Sequence, residues 1–556
     1  RSDADDRASD GAPFTRRFTD ITAASGLDAF RHETGSSGEK RLPETIGAGA
    51  AFLDANGDGR LDVFLVNGKR WRDRGDRSGE ASCALFLGRG DGTFVDATDE
   101  WNARVQIQGM GCAVADHDGD GDEDIFITAV GQDVLLENLG DRFIDSTARA
   151  GVAGKRWRDA AGREHEIWST AATWADVDAD GDLDLLVTGY VEWAPDLEIF
   201  TTLDGTHKAF TTPDRYRGVP PRLYLNRGDA TYEDATERSG LASLRGKSLG
   251  VAIWDFGDDG RIDFVVANDT RPNFLLLNQG DARFRDVALA RGIAYDENGR
   301  ALAGMGIDVA DLQGDGRAWI AIGNFAQEPL SLWEETAMNA AFKSSEDGAR
   351  LTEPTRPLLA FGVLFGDLDL DGYLDLTVVH GHIEPDIARF RPGEAHAQPA
   401  RVFRGTPDGI FRDASEQAGP DLIVPRVARG LAQGDIDGDG DLDLLVTTNG
   451  GSPVLLRNDL APGAPQNHFL RLDLEGRPPN TAAIGARVIL EAGGRTQRRL
   501  VRRGSSYLSE SETTVTFGLG SENRVERLEI TWPNGRTEKV SIDAVDRVVT
   551  LREPEG

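Results

Sequence analysis

Seven times between residues 54 and 443 the sequence returns to one pattern, with Asp at positions 1, 3, 5 and 9, Gly at position 6, and then an apolar run of strand type. Five copies are intact or carry a single Asn: Asp54, Asn56, Asp58 and Asp62; Asp116, Asp118, Asp120 and Asp124; Asp176, Asp178, Asp180 and Asp184; Asp367, Asp369, Asp371 and Asp375; Asp435, Asp437, Asp439 and Asp443. Two are degenerate. The fourth keeps Asp255, Asp259 and Asp263 around Gly257, and the fifth keeps Asp311 and Asp315, with Gln313 at position 3 and Trp319 at position 9. Position 9 recurs after 62, 60, 79, 56, 56 and 68 residues, which makes an array rather than a single irregular core.

Each copy runs into a β-rich segment and then a hairpin, as in LLENLGDRFIDST at 135–147 and LYLNRGDATYEDAT at 223–236. The Gly-Asp turn supplies the positive φ, and an aromatic opens the last strand. Sixty residues with about four short strands is one blade of a β-propeller, a unit that cannot bury both faces alone. The seventh copy lacks its last strand, and Phe18-Thr19-Asp20-Ile21-Thr22 matches the missing piece. The expected fold is all-β: a seven-bladed β-propeller whose N-terminal strand closes the last blade, with a small C-terminal β-sandwich or barrel.

Alternating carboxylates around a Gly turn surround one point with oxygen, which suits Ca²⁺ better than a nitrogen- or sulfur-seeking metal. An EF-hand is excluded, because position 12 of the last copy is Val446 inside a strand. Four carboxylates packed together without a cation repel strongly. Ca²⁺ is therefore expected in the five full loops and in up to seven altogether, with the ion stapling each loop.

The chain has 61 Lys and Arg against 94 Asp and Glu, a formal charge of −33, which argues against nucleic acid or an anionic membrane as the main partner. The acidity is uneven. Residues 461–556 hold 14 basic and 13 acidic groups, whereas residues 1–460 hold 47 and 81. With Ala-Pro-Gly-Ala-Pro at 461–465, this places a domain boundary between 1–460 and 461–556. No run of 18 apolar residues offers a transmembrane segment, and Arg1 at the first position suggests a removed export signal. Cys83 and Cys112 allow one bridge or two buried thiols.

The last part reads as strands at 468–474, 486–492, 496–503, 513–518, 525–532 and 538–542. Arg495, Arg498, Arg499, Arg502 and Arg503 make either a solvated face or a dock for an acidic surface, the chain's own or a partner's. No nucleophile elbow, HExxH or dinucleotide fingerprint is present, and Gly240–Ser248 misses phosphate-loop spacing. His380-Gly381-His382 falls short of a metal site. Polar residues such as Glu44, His32, Asn268, Asp269, Arg271, Asn324 and Glu328 can line a central funnel or join blades by hydrogen bonds.

The Asp loops resemble FG-GAP/VCBS repeats, the calcium-loop blades of integrin α-subunit heads and of many bacterial exported proteins. Arg41-Leu42-Pro43-Glu44-Thr45, Trp168-Ser169-Thr170, Gly304-Met305-Gly306 and the run Ala267 to Phe274 resemble the family named after cartilage acidic protein 1. Asn467-His468-Phe469-Leu470, Ile484 to Val488, Gly504-Ser505-Ser506-Tyr507 and Trp532-Pro533-Asn534-Gly535 resemble the ASPIC/UnbV domain. The resemblance implies an exported, calcium-loaded propeller that is secreted, periplasmic or at the cell surface, and it gives no reaction. The leading expectation is a non-enzymatic binding or adhesion module, with inserted loops at 69–80, 191–220, 334–360 and 381–400 meeting a protein or glycan surface. The alternative is a lyase- or cyclase-type enzyme taking a small molecule in the funnel, with Glu44, His32 or His382 as acid or base.

Overall fold

The computed structural model describes residues 13–36, 38–71 and 81–555. Among these residues the repeat region forms seven four-stranded antiparallel sheets. The third is representative, with strands Ser169–Ala175, Asp184–Gly189, Arg222–Asn226 and Tyr232–Asp234 hydrogen-bonded in that order. The Asp loop joins the first two strands, and position 9 opens the second strand in every copy.

First strands such as Gly109–Ala115, Ser169–Ala175 and Ala360–Gly366 are buried along their whole length. They are rich in Gly, Ala, Ser and Thr because neighbours crowd both faces. They pack side by side in chain order, and the seventh, Ala428–Gly434, packs against the first, Ala50–Leu53. Five of the seven fourth strands are three residues long and open on an aromatic, as in Phe143–Asp145, where a buried Phe is followed by two outward residues. Their Asp caps the next turn: Asp145 Oδ1 accepts the Thr147 N–H at 3.0 Å. The overall architecture is all-β and propeller-like.

The N-terminal strand Arg16–Asp20 completes the seventh sheet by pairing antiparallel with Val454–Leu460, Phe18 lying opposite Asn458. Asp20 Oδ1 then caps Thr22 at 3.1 Å, as in the other fourth strands.

Beyond residue 467 two sheets share one apolar core that includes Leu472, Val488, Phe517 and Ile530. One sheet holds Val515–Gly520, His468–Glu475 and Arg547–Arg552, the other Arg495–Leu500, Arg487–Ala492, Arg527–Thr531 and Thr537–Val540. Arg547–Arg552, absent from the sequence expectation, pairs in parallel with His468–Glu475. One further expectation changes. Segment 334–360 is not an inserted loop: it holds the end of strand Ser331–Glu335, the regular fourth strand Phe342–Ser344 and the short helix Thr352–Thr355. Of the loop at 69–80, residues 72–80 lie outside the described residues. Cys83 and Cys112 are buried free thiols.

An arm from the C-terminal sheets enters the middle of the repeat region. Ser506 pairs with Ile307, Glu510 N–H donates to Ala50 O at 2.8 Å, and Cys112 N–H donates to Leu508 O at 3.4 Å. Gly49 is required here, since a Cβ on it would lie 2.1 Å from Leu508 O.

Candidate metal centres

The Asp loops divide labour among their positions. At position 1, one carboxylate oxygen accepts the N–H of the position-6 Gly in all seven copies, at 2.7–3.1 Å. Those glycines, Gly121 and Gly440 among them, have positive φ. At position 9, Oδ2 accepts the position-2 N–H at 2.8–3.0 Å in the six copies that have Asp there. Its Oδ1 accepts an N–H from the third strand, or in the sixth copy from Gly405 just beyond it, at 2.7–2.9 Å. Position 9 therefore clamps the loop to its sheet besides facing the cluster. Trp319 cannot do this in the fifth copy.

Four loops bring three carboxylates together, with one oxygen from each within 4.8 Å of the others: Asp116, Asp118 and Asp124; Asp176, Asp178 and Asp184; Asp367, Asp369 and Asp371; Asp435, Asp437 and Asp443. Asp118 also meets His117 and Glu137 in a second group. The donor set fits a hard cation, and one observation fits it further: Oδ1 of Asp118, Asp178, Asp369 and Asp437, all at position 3, is buried without a hydrogen-bond partner, as is Oδ1 of Asp367. Position 5 spends one oxygen on the turn, Asp120 Oδ1 accepting the Asp122 N–H at 2.9 Å. In the first loop Asn56 stands at position 3, and Asp54, Asp58 and Asp62 form no such triad among the described residues.

Without a cation these groups resist ionisation. Burial, helped by the adjacent carboxylates, pushes Asp62 up to about 7, Asp184 to about 8, and Asp176 and Asp437 to about 6. The same causes hold Asp124, Asp375 and Asp443 well above the ordinary carboxylate value.

Arginines sort the loops. In the fourth, Arg487 lies 3.1 Å from Asp255 and Arg261 pairs with Asp259. In the fifth, Arg317 lies 2.7 Å from Asp315 and Arg498 3.8 Å from Asp311. These are the two degenerate copies, but three full loops also have guanidinium partners: in the first, Arg60 lies 3.5 Å from Asp58. Arg404 lies 2.9 Å from Asp369 and also pairs with Asp371, and Arg471 pairs with Asp435. The second and third loops have no ion pair to their loop aspartates among the described residues.

The basic hairpin docks on the chain's own loops. Arg503 pairs with Glu123, whose other oxygen accepts the Asp54 N–H at 2.7 Å, and Arg502 pairs with Asp308. Arg495 Nη1 donates to Asp371 O at 3.1 Å, and Thr481 Oγ1 to Asp116 Oδ2 at 2.7 Å. Arg499 instead lies over the Phe517 ring at 5.3 Å.

The expected acid–base residues sit at the end of the strands opposite the Asp loops. His32 is buried, accepts the Gly450 N–H on Nδ1 at 3.2 Å, and is pushed down to about 3 by burial and by Arg429. His382 accepts the Glu384 N–H on Nδ1 at 3.0 Å and falls to about 4. Both rings are neutral at physiological pH. Glu44 is buried in the turn Leu42–Thr45, where its carbonyl accepts Asn449 Nδ2 at 3.0 Å. Asn268 binds Ser248 Oγ at 2.7 Å and Asn324 binds Ser331 Oγ at 2.9 Å, both within a sheet. Asp269 and Glu328 instead line a cavity of about 160 Å³ with Tyr190 and Asp214.

Sequence reasoning missed a set of blade staples. Asn138, Asn226 and Asn278 end their third strands and Asn458 lies two residues before the end of its own, and each Nδ2 donates at 2.7–3.0 Å to the position-2 carbonyl of the preceding Asp loop: Ala55, His117, Val177 and Leu368. The signal in the sequence is an Asn closing the third apolar run in four of the seven copies.

The FG-GAP-like repeat family matches residues 54–127 and 255–322, and the ASPIC and UnbV family matches residues 476–556. Cartilage acidic protein 1 of Xenopus tropicalis is 28% identical over 345 residues, which is 59% of this chain and 48% of that protein. The Homo sapiens protein is 27% identical over 332 residues, 57% of this chain and 38% of that one. The chain thus spans about half the length, or less, of these curated relatives. The solved complex of BBS1N with ARL6DN aligns at a TM-score of 0.42 and 11% identity, covering 76% of this chain and 95% of that one. The chain therefore carries FG-GAP-like repeats followed by an ASPIC and UnbV domain, and over more than half its length it is similar to cartilage acidic protein 1.

Proposed function

We propose that the chain is an exported, calcium-stapled interaction module: a closed seven-bladed ring over residues 1–460, capped on its Asp-loop face by the unit at 461–556. The observation that carries this is the buried, unpartnered position-3 oxygen in four carboxylate triads, the arrangement of a cation site rather than of a hydrogen-bonded turn. Pairing of the N-terminal strand with the seventh sheet supports closure. The first, second, third, sixth and seventh loops take Ca²⁺. The second and third are the strongest sites, and the arginines already serve the fourth and fifth. The ions are structural, and the face opposite the cap meets the partner. Metal content after equilibration with Ca²⁺, and a thermal melt with and without EDTA, test this. No bound calcium together with an unchanged midpoint would remove it.

A second reading, a catalyst in the central funnel, is favoured by the cavity around Asp269. This buried carboxylate accepts the Tyr190 hydroxyl at 2.6 Å and is pushed up to about 7 by burial. The acid–base group on that reading is Asp269, not Glu44, His32 or His382. A small-molecule thermal-shift screen that finds nothing distinguishing the wild type from Asp269→Asn would retire it.

A further inference from the structure

For a chain of formal charge −33, one groove is anomalous. It measures about 830 Å³ and is bordered by Arg41, Lys69, Arg70, Lys155 and Arg156, with Glu166 its single lining carboxylate among the described residues. Its walls are the segments that follow second strands or precede first strands in the first three sheets. They therefore lie at the end of the strands away from the Asp loops, on the face that the C-terminal sheets leave open.

Three features describe what fits. The cations reach solvent: the side chains of Arg70, Lys155 and Arg156 are 75%, 74% and 61% exposed. Their carboxylate partners are Glu33 at 3.5 Å, Asp234 at 2.6 Å and Glu166 respectively. Exposed pairs of this kind contribute only about 0–1 kcal/mol, so an incoming anion can displace them. Trp71 offers a half-buried indole held by Trp193 at 5.4 Å between ring centres, with the Arg41 guanidinium 5.3 Å above it. Lastly, two backbone N–H groups of the groove wall are already paired, Val130 N–H to Gln108 O at 2.9 Å and Gly131 N–H to Ile167 O at 2.9 Å. Neither of these is open to an added peptide strand.

We propose that this groove binds an acidic oligosaccharide, a chain of sugar rings bearing carboxylate or sulfate groups. The sugar's C–H groups meet the part of Trp71 left open beside Arg41 and Trp193, and the anionic groups meet Arg70, Lys155 and Arg156. The volume suits an oligosaccharide segment rather than a single anion. The chain's overall negative field does not forbid this, because it is screened within about 8 Å at physiological ionic strength, while the groove's charges act at contact. This names the partner class of the interaction module proposed above and rests on that reading.

The test uses the full chain saturated with Ca²⁺ and titrated calorimetrically with a heparin-derived hexasaccharide, a galacturonate hexamer, maltohexaose and a poly-glutamate peptide. Both acidic sugars bind and weaken as NaCl is raised, and maltohexaose does not bind. A double variant, Arg70→Glu with Lys155→Glu, at two largely exposed side chains, loses on the order of tenfold in affinity per reversed charge. Trp71→Ala weakens both sugars while leaving their salt dependence in place. Binding of one acidic sugar but not the other assigns sulfate or carboxylate as the recognised group. The proposal is overturned if neither acidic sugar binds, if the double variant binds as the wild type does, or if poly-glutamate binds as tightly, which assigns the groove to acidic peptides. Calcium content and melting of the same samples separate this failure from failure of the calcium-stapled module.

Discussion

Tyr507 donates its phenolic hydroxyl to the backbone carbonyl of Ile46 at 3.0 Å, joining positions 461 residues apart. Its ring also packs edge-on against Phe361 at 4.9 Å between centroids. The C-terminal sheets are thus held by a side chain buried among the first strands, not only by surface ion pairs. Removing the hydroxyl in Tyr507→Phe is expected to cost about 1–3 kcal/mol, since it strands a buried carbonyl. Tyr507→Ala is expected to cost about 3–5 kcal/mol by leaving a cavity. Urea denaturation in saturating Ca²⁺ measures both. An Ala variant within 1 kcal/mol of wild type would mean that the arm does not occupy this place in solution.

Calcium should reverse the sign of a mutation. Asp178 Oδ1 is buried without a partner, and burial together with Asp180 raises its pKa. In EDTA, Asp178→Asn removes like-charge repulsion and the midpoint should rise. In calcium the same change removes a ligand, and the midpoint should fall. A site filled at a hundred times its Kd contributes ~2.7 kcal/mol, most of which the variant loses. Melts of wild type and variant in both conditions check this, and two shifts of the same sign would count against a metal at Asp176, Asp178 and Asp184.

Much of this was legible because ligand geometry imposes a spacing. Asp at alternate positions before a Gly turn leaves few other uses, and the tail at Phe18 repeats the Asp-x-Thr cap seen at Asp145 and Thr147. The arm was not legible: Gly504 to Ser511 has no period, and its partners, Ile46, Ala50 and Ile307, lie hundreds of residues away. The destination of Arg503 was equally hidden, since a run of arginines reads the same whether its counter-charges are internal or foreign. Arg547–Arg552 escaped notice because it is a largely exposed edge strand, with little apolar alternation to mark it.

Glu510 sets a pH dependence that survives calcium saturation. It is fully buried, and desolvation pushes it up to about 7 from an ordinary value of 4.5. Arg503 and Arg502 oppose that rise, while Glu123 adds to it, and the Cys112 thiol lies nearby. The folded chain therefore keeps a proton that the unfolded chain has released. Its contribution to stability is full below pH ~4.5 and is lost as pH rises through ~7, with a slope of at most about 1.4 kcal/mol per pH unit. Glu510→Gln should flatten this part of the profile between pH 5 and 7. Parallel stability curves for wild type and variant across that range would refute the assignment.

The seam at the seventh sheet can be tested through Phe18, whose side chain is fully buried with Leu431, Leu444 and Leu456. Arg16 in the same strand pairs with the buried Asp441. Phe18→Ala should cost about 3–5 kcal/mol, the ordinary cost of emptying a core aromatic site. Deleting residues 1–21 does something different, because it leaves Val454–Leu460 as an unpaired edge beside an apolar cluster. Such an edge templates strand addition from another chain, so the truncated protein should associate as its concentration rises. Light scattering coupled to size exclusion reads this directly. If the truncated chain stays monomeric and melts with the full-length protein, Arg16–Asp20 is an ornament on the last sheet. If it associates while Phe18→Ala merely melts earlier, the strand both fills the core and covers the edge.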